Sequence, residues 1–148
     1  MRPAASRIDP VLLAPVLAAI AALVVVGCGS SRSAGGSAKT LRITERDFHI
    51  SAPKRAPAGD VRLVVRNDGP DAHELIVVRA PGGRLPLRAD GLTIDEDAVE
   101  RAAVATLEPG APGSLRAFRV RLAPGHYVLF CNMFGHFMGG MRADLVVA

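Results

Sequence analysis

The stretch Cys131-Asn-Met-Phe-Gly-His136-Phe-Met138-Gly-Gly-Met141 constrains this chain more than any other. It sets a thiol, an imidazole and a thioether within eleven positions of a glycine-rich loop, and a second imidazole, His73, lies far upstream. Two His, one Cys and a weak axial Met are a donor set that suits copper cycling by one electron: soft sulfur favours Cu(I), and imidazole accepts both oxidation states. A loop that gathers such donors without a helix needs unusual backbone conformations, which Gly135, Gly139 and Gly140 permit. Taken singly, each residue would suit a packed core or an ordinary loop. The spacing argues for one shared ion, because His136 follows Cys131 by five positions and Met141 follows His136 by five. The fold must then bring His73 beside a loop that is remote from it in sequence.

The intervening chain reads as short strands. Thr40–Thr44, Val61–Asn67, His73–Arg79, Leu115–Leu122, His126–Cys131 and Met141–Val147 carry period-two or short apolar runs. Phe118, Val120 and Leu122 alternate with Arg119 and Arg121, the mark of a half-buried strand. Leu41 and Ile43 are out of phase with Phe48 and Ile50, which predicts a bulge or short turn around Glu45–Asp47. Pro/Gly turn signals punctuate the runs, including Asp68-Gly69-Pro70, Pro109-Gly110 and Pro124-Gly125. Asp95 to Ala105 is the exception and reads as one short helix with acidic residues in its first turn. The pattern predicts an all-β Greek-key sandwich with one helical excursion, and Greek-key connectivity would place His73 next to the C-terminal loop. Tyr127, the only tyrosine, is placed to make a corner hydrogen bond at the start of the ligand strand.

The segment from Pro124 to Met141 resembles the copper loop of the cupredoxins, and of the sulfocyanin-like small blue copper proteins in particular. Their loop reads Cys-Asn-x-x-Gly-His-x-x-x-Gly-Met, and Cys131, Asn132, Gly135, His136, Gly140 and Met141 match it. Met133-Phe134 departs from relatives that often carry Pro before the Gly. Asn67-Asp-Gly69-Pro-Asp-Ala-His73 resembles the family's first ligand segment, and the likeness covers roughly residues 40 to 148. The resemblance implies a cupredoxin-like copper-binding domain over 40–148 with one type 1 copper ion. His73, Cys131 and His136 would be the strong ligands and Met141, rather than Met138, the axial one. Asn132, next to the ligand Cys, is placed for its amide to hydrogen-bond across to the segment before His73. The resemblance also makes Phe134, Phe137 and Met138 around His136 a docking face for redox proteins. His49 and His126 are not assigned to the metal, and Met133 is assigned to local packing.

Residues 1–27 read as an export signal rather than as fold. Arg2 and Arg7 form a basic start, and Val11 to Gly27 is an uncharged run of 17 residues ending at Cys28. This resembles a bacterial lipoprotein signal in which Cys28 is lipidated, with an uncleaved anchor as the alternative; Pro15 and the short length weaken a spanning helix. Residues 28–39, mostly Gly, Ser and Ala, read as a flexible linker. The domain is therefore expected outside the cytoplasm, tethered to a membrane, as a monomer. With Cys28 consumed, Cys131 has no disulfide partner, and an unpaired Cys in an exported chain points to a reactive or metal-bound thiol. Removing two Arg and one Asp with the signal from 18 basic and 14 acidic residues leaves 16 against 13, a net +3 with no basic stripe. That gives nucleic-acid binding little support.

These residues favour a membrane-anchored blue copper protein that carries single electrons between redox partners and is not itself an enzyme. The alternative is a copper carrier of the same fold, whose metal would exchange. A copper enzyme would need a second, His-rich site, and the chain has four His in all. A binuclear electron-entry site would need a second Cys in the loop.

Overall fold

The computed structural model describes residues 38–148. The expected signal at 1–27, Cys28 and nearly all of the 28–39 linker lie outside the described residues. Nine strands form two sheets: β1 (Lys39–Arg46), β2 (His49–Ser51), β3 (Arg55–Ala56), β4 (Gly59–Asn67), β5 (His73–Arg79), β6 (Ala103–Gly110), β7 (Leu115–Leu122), β8 (Gly125–Phe130) and β9 (Arg142–Val147). A four-stranded sheet runs β2-β1-β4-β7 and a five-stranded sheet runs β3-β9-β8-β5-β6. The β1/β4 and β3/β9 pairs are parallel and the others antiparallel. The phase change after Ile43 is a tight β1–β2 turn at Asp47-Phe48.

The core between the sheets follows the alternation. Leu41, Ile43, Val61, Leu63 and Val65 face Leu75, Val77, Tyr127, Leu129 and Leu145 in one buried cluster. β8 is buried on both faces, because Val78, Val128 and Phe130 point the other way into a second cluster with Leu85, Ile94 and Val99. The excursion between β5 and β6 covers that outer face, which is why Val128-Leu129-Phe130 is an unbroken apolar run rather than an alternating one. Its helix α1 (Glu96–Ala102) starts on Asp95, whose side chain accepts from the Ala98 N–H at 3.0 Å.

The helix expected over 95–105 is shorter in the structure: it stops at Ala102, and Ala103–Gly110 is strand β6. Val104 and Thr106 point outward and Ala103, Ala105 and Leu107 are partly buried, a period of two that the alanines disguise as helix. Pro109-Gly110, expected as a turn, belongs to the same strand. β6 is a sheet edge, and its pairing slips between His73↔Gly110 and Leu75↔Leu107. An edge bulge is where a strand tolerates a proline that cannot donate.

Tyr127 makes the expected corner bond, its hydroxyl donating to the Ala123 carbonyl at 2.9 Å. Tyr127→Phe is expected to destabilise the protein by about 1–2 kcal/mol, since it strands a carbonyl at the corner. Denaturant unfolding reads this directly, and an unchanged midpoint would remove the corner from the stabilising interactions.

Candidate metal centre

β5, β8 and the loop after β8 carry the donor residues to one end of the sandwich. His73 opens β5, opposite the bulge in β6, where an extra residue re-aims neighbouring side chains. Cys131 directly follows β8 and completes its inward alternation after Tyr127 and Leu129. The loop closes on itself: the Cys131 N–H donates to the Met141 carbonyl at 3.2 Å, and the Met141 N–H to the His136 carbonyl at 3.0 Å. Gly135 and Gly140 sit at φ 80° and 97°, where a side chain would be strained.

His73 Nδ1 and His136 Nδ1 face each other at 3.2 Å, and Cys131 Sγ lies 3.4 Å from His136 Nδ1. The three donor atoms lie within 4.8 Å of one another, the one such cluster of His, Cys, Asp or Glu donors among the described residues. All three residues are buried. With metal–nitrogen and metal–sulfur bonds of about 2.0–2.3 Å, a trigonal plane separates its ligand atoms by roughly 3.5 Å, so this donor set fits one ion. Met141 is fully buried in the same cluster as Cys131, whereas Met138 is 65% exposed. His49 and His126 are exposed and line a separate surface groove.

Burial sets the protonation of His73 and Cys131. It holds His73 below its ordinary value, helped by the neighbouring His136 ring, so the imidazole is neutral and free to ligate. It pushes the Cys131 thiol up. An arriving cation must therefore displace the thiol proton. Asp47 Oδ1 comes within 3.1 Å of His73 Nε2, off the line of a hydrogen bond, so the contact is one of charge and dipole. It favours a proton on Nε2 and leaves Nδ1 for the metal. Gly69 makes room for this approach: a Cβ there would come within 2.8 Å of both Asp47 Oδ1 and His73 Nε2.

Asn132 does not act as expected. Its side-chain amide donates to Glu96 at 3.3 Å, while its backbone N–H donates to the Glu74 carboxylate at 2.9 Å. Glu74 is the residue after His73, so the two ligand segments are tied through that carboxylate instead. The segment before His73 is held by Asn67, whose amide donates to the carbonyls of Asp71 and Gly110 at 2.7 and 2.9 Å and accepts from the Gly69 N–H at 2.9 Å. The Asn67-Asp-Gly69 turn was the sequence signal for it.

The expected docking residues divide. Phe134 is 103% exposed and Met138 also points to solvent. Phe137 is partly buried and packs edge-on against Phe130, with ring centroids 5.7 Å apart, so it belongs to the outer cluster rather than to a free face. Phe134 and Met138 line a groove of about 650 Å³ between the loop and the excursion, with Arg88 and Glu96 on the far wall. Phe48 packs on His136 without any sequence signal of its own, with ring centroids 5.8 Å apart at 74°.

No family model matches the chain, and neither does any curated protein. Solved structures do match. The reduced auracyanin of the photosynthetic bacterium Roseiflexus castenholzii superposes with a TM-score of 0.56 at 20% identity, over 76% of this chain and 99% of that one. Auracyanin A, a "blue" copper protein from the green thermophilic photosynthetic bacterium Chloroflexus aurantiacus, gives 0.55 at 17% identity, over 74% and 98%. Rusticyanin from Thiobacillus ferrooxidans gives 0.54 at 18% identity, over 76% and 79%. The likeness is one of fold: two mixed sheets with one short helix, the cupredoxin architecture.

Proposed function

We propose that this chain is an extracytoplasmic, membrane-tethered mononuclear copper protein that passes single electrons between redox partners. The observation that carries the reading is the convergence of His73 Nδ1, His136 Nδ1 and Cys131 Sγ, all buried, at the end of a cupredoxin fold. Those three would hold the ion, with the buried Met141 thioether as a fourth, weaker donor. Bound there, copper supplies one-electron chemistry between its two common oxidation states.

The chain's own residues do the rest. Two rigid strands and a loop closed by backbone hydrogen bonds hold the donors in place whatever the charge on the ion, so little must reorganise when an electron arrives. The interior keeps water off the thiolate. Phe134 and Met138 present an apolar surface beside His136, and this is where a redox partner would dock. The tether rests on the Cys28 signal pattern; a single acyl chain binds a membrane weakly, so firm anchoring would use more than one.

The test is a Cu(II) titration of the purified protein followed by visible absorption, EPR and voltammetry. An intense visible band and a reversible one-electron wave are expected. A colourless protein that takes up Cu(I) and yields it to a chelator would replace electron transfer with copper delivery.

A further inference from the structure

The β1–β2 turn, Asp47-Phe48, touches both imidazoles of the centre. Asp47 lies against His73 Nε2 at 3.1 Å, and the ring of Phe48 stands edge-to-face on the ring of His136. Phe48 is the one non-glycine residue at positive φ among the described residues, at 60°. Tight hairpin turns give such a position to Gly, Asn or Asp, because a larger side chain is strained there. Here a phenyl ring occupies it and remains 52% exposed, so burial of the ring does not repay the strain. What the ring does is cover the ligand loop. Gly139 lies directly beneath it, and a Cβ at that position would come within 2.1 Å of the ring. With the ring in place, His136 is only 8% exposed, although its loop neighbours on both sides include exposed residues.

Strained backbone that persists at a site is a sign that the site uses it. We infer that Phe48 is a positioning residue of the metal centre: it caps the His136 imidazole, clamps the loop through Gly139, and keeps water and small solutes from the one ligand nearest the surface. Asp47 in the same turn orients His73, so a single hairpin turn braces both imidazoles. The inference rests on the reading of His73, Cys131 and His136 as a copper centre, and the test separates the two.

Phe48→Gly removes the ring and relieves the turn, so the variant is expected to fold at least as stably as the parent. Gly139→Ala is the second variant, since its methyl drives the ring off from below. In the copper-loaded protein, both should keep the visible band yet release copper to excess EDTA about tenfold faster, the effect typical of losing an outer support of a ligand. In the metal-free protein, His136 should react with diethylpyrocarbonate severalfold faster in both variants, as read by peptide mass spectrometry. Release and modification rates equal to those of the parent would overturn the role of Phe48. Absence of the band in the parent would overturn the copper reading alone, and the modification rates would still judge the cap.

Discussion

Replacing Cys131 by serine is expected to abolish the intense visible absorption of the copper-loaded protein and to weaken Cu(II) binding by more than the ~10–100-fold that follows loss of an outer hydrogen-bonding partner. The thiolate is the only soft anionic donor in the cluster, and the other two donors are imidazoles. A serine hydroxyl is nearly the same size, so the sandwich should survive. The buried hydroxyl costs about 1–2 kcal/mol if left unpaired, and His136 Nδ1, now 3.4 Å from the sulfur, is within reach as a partner. Absorption and EPR spectra of the variant beside the parent make the comparison, with circular dichroism as the control for folding. A variant that stays intensely coloured would remove Cys131 from the ligand set and overturn the proposed centre.

Above pH 7, Arg116→Ala is expected to destabilise the protein by about 3–5 kcal/mol, because it strands a buried carboxylate. Glu45 is wholly buried on β1, and its Oε2 accepts from Arg116 Nη2 of β7, while Arg116 Nη1 donates to the Glu108 carbonyl. Glu45 Oε1 has no partner. Burial pushes the Glu45 carboxyl from 4.5 up to about 7 even with Arg116 beside it. The folded state therefore binds a proton more tightly than the unfolded chain. This contribution is fully present below about pH 4.5 and is lost as pH rises through 7, amounting to about 3 kcal/mol over that interval. Without the guanidinium the ionised form is harder still to bury, so the deficit of Arg116→Ala should be largest above pH 7 and shrink near pH 5. Urea unfolding of the parent, Arg116→Ala and Arg116→Ala/Glu45→Gln at both pH values gives the answer. A deficit that does not vary with pH, or that the Gln variant fails to relieve, would mean the pair is not what stabilises this end of the sandwich.

Several parts of the structure were legible because local chemistry determined them. The alternation of Phe118, Val120 and Leu122 with Arg119 and Arg121 set the faces of β7, and the acidic run Asp95-Glu96-Asp97 marked where α1 begins, although Asp95 proved to be its cap rather than part of its first turn. The end of α1 was not legible, since Ala102 and Ala103 favour helix by propensity, and only pairing with β5 draws Ala103–Gly110 into the sheet. The second buried face of β8 left a trace in the run Val128-Leu129-Phe130, yet what covers it came from a segment of mixed composition.

The metal centre divides in the same way. The residue types and their five-residue spacings pointed to Cys131, His136 and Met141 as donors to one ion, and the resemblance to the cupredoxin loop chose Met141 over Met138. His73 was named by type and by the turn before it, but its meeting with the loop depends on β5 lying beside β8. Asp47, Phe48, Glu74 and the Glu45–Arg116 pair have no sequence mark. Each acts across a gap between elements distant in the chain, where position follows from how two sheets pack rather than from any local preference. By itself, then, the sequence determined the donor chemistry and the strand-rich class. Only the tertiary structure decided what surrounds the donors, because a side chain's environment is made by the segments folded against it.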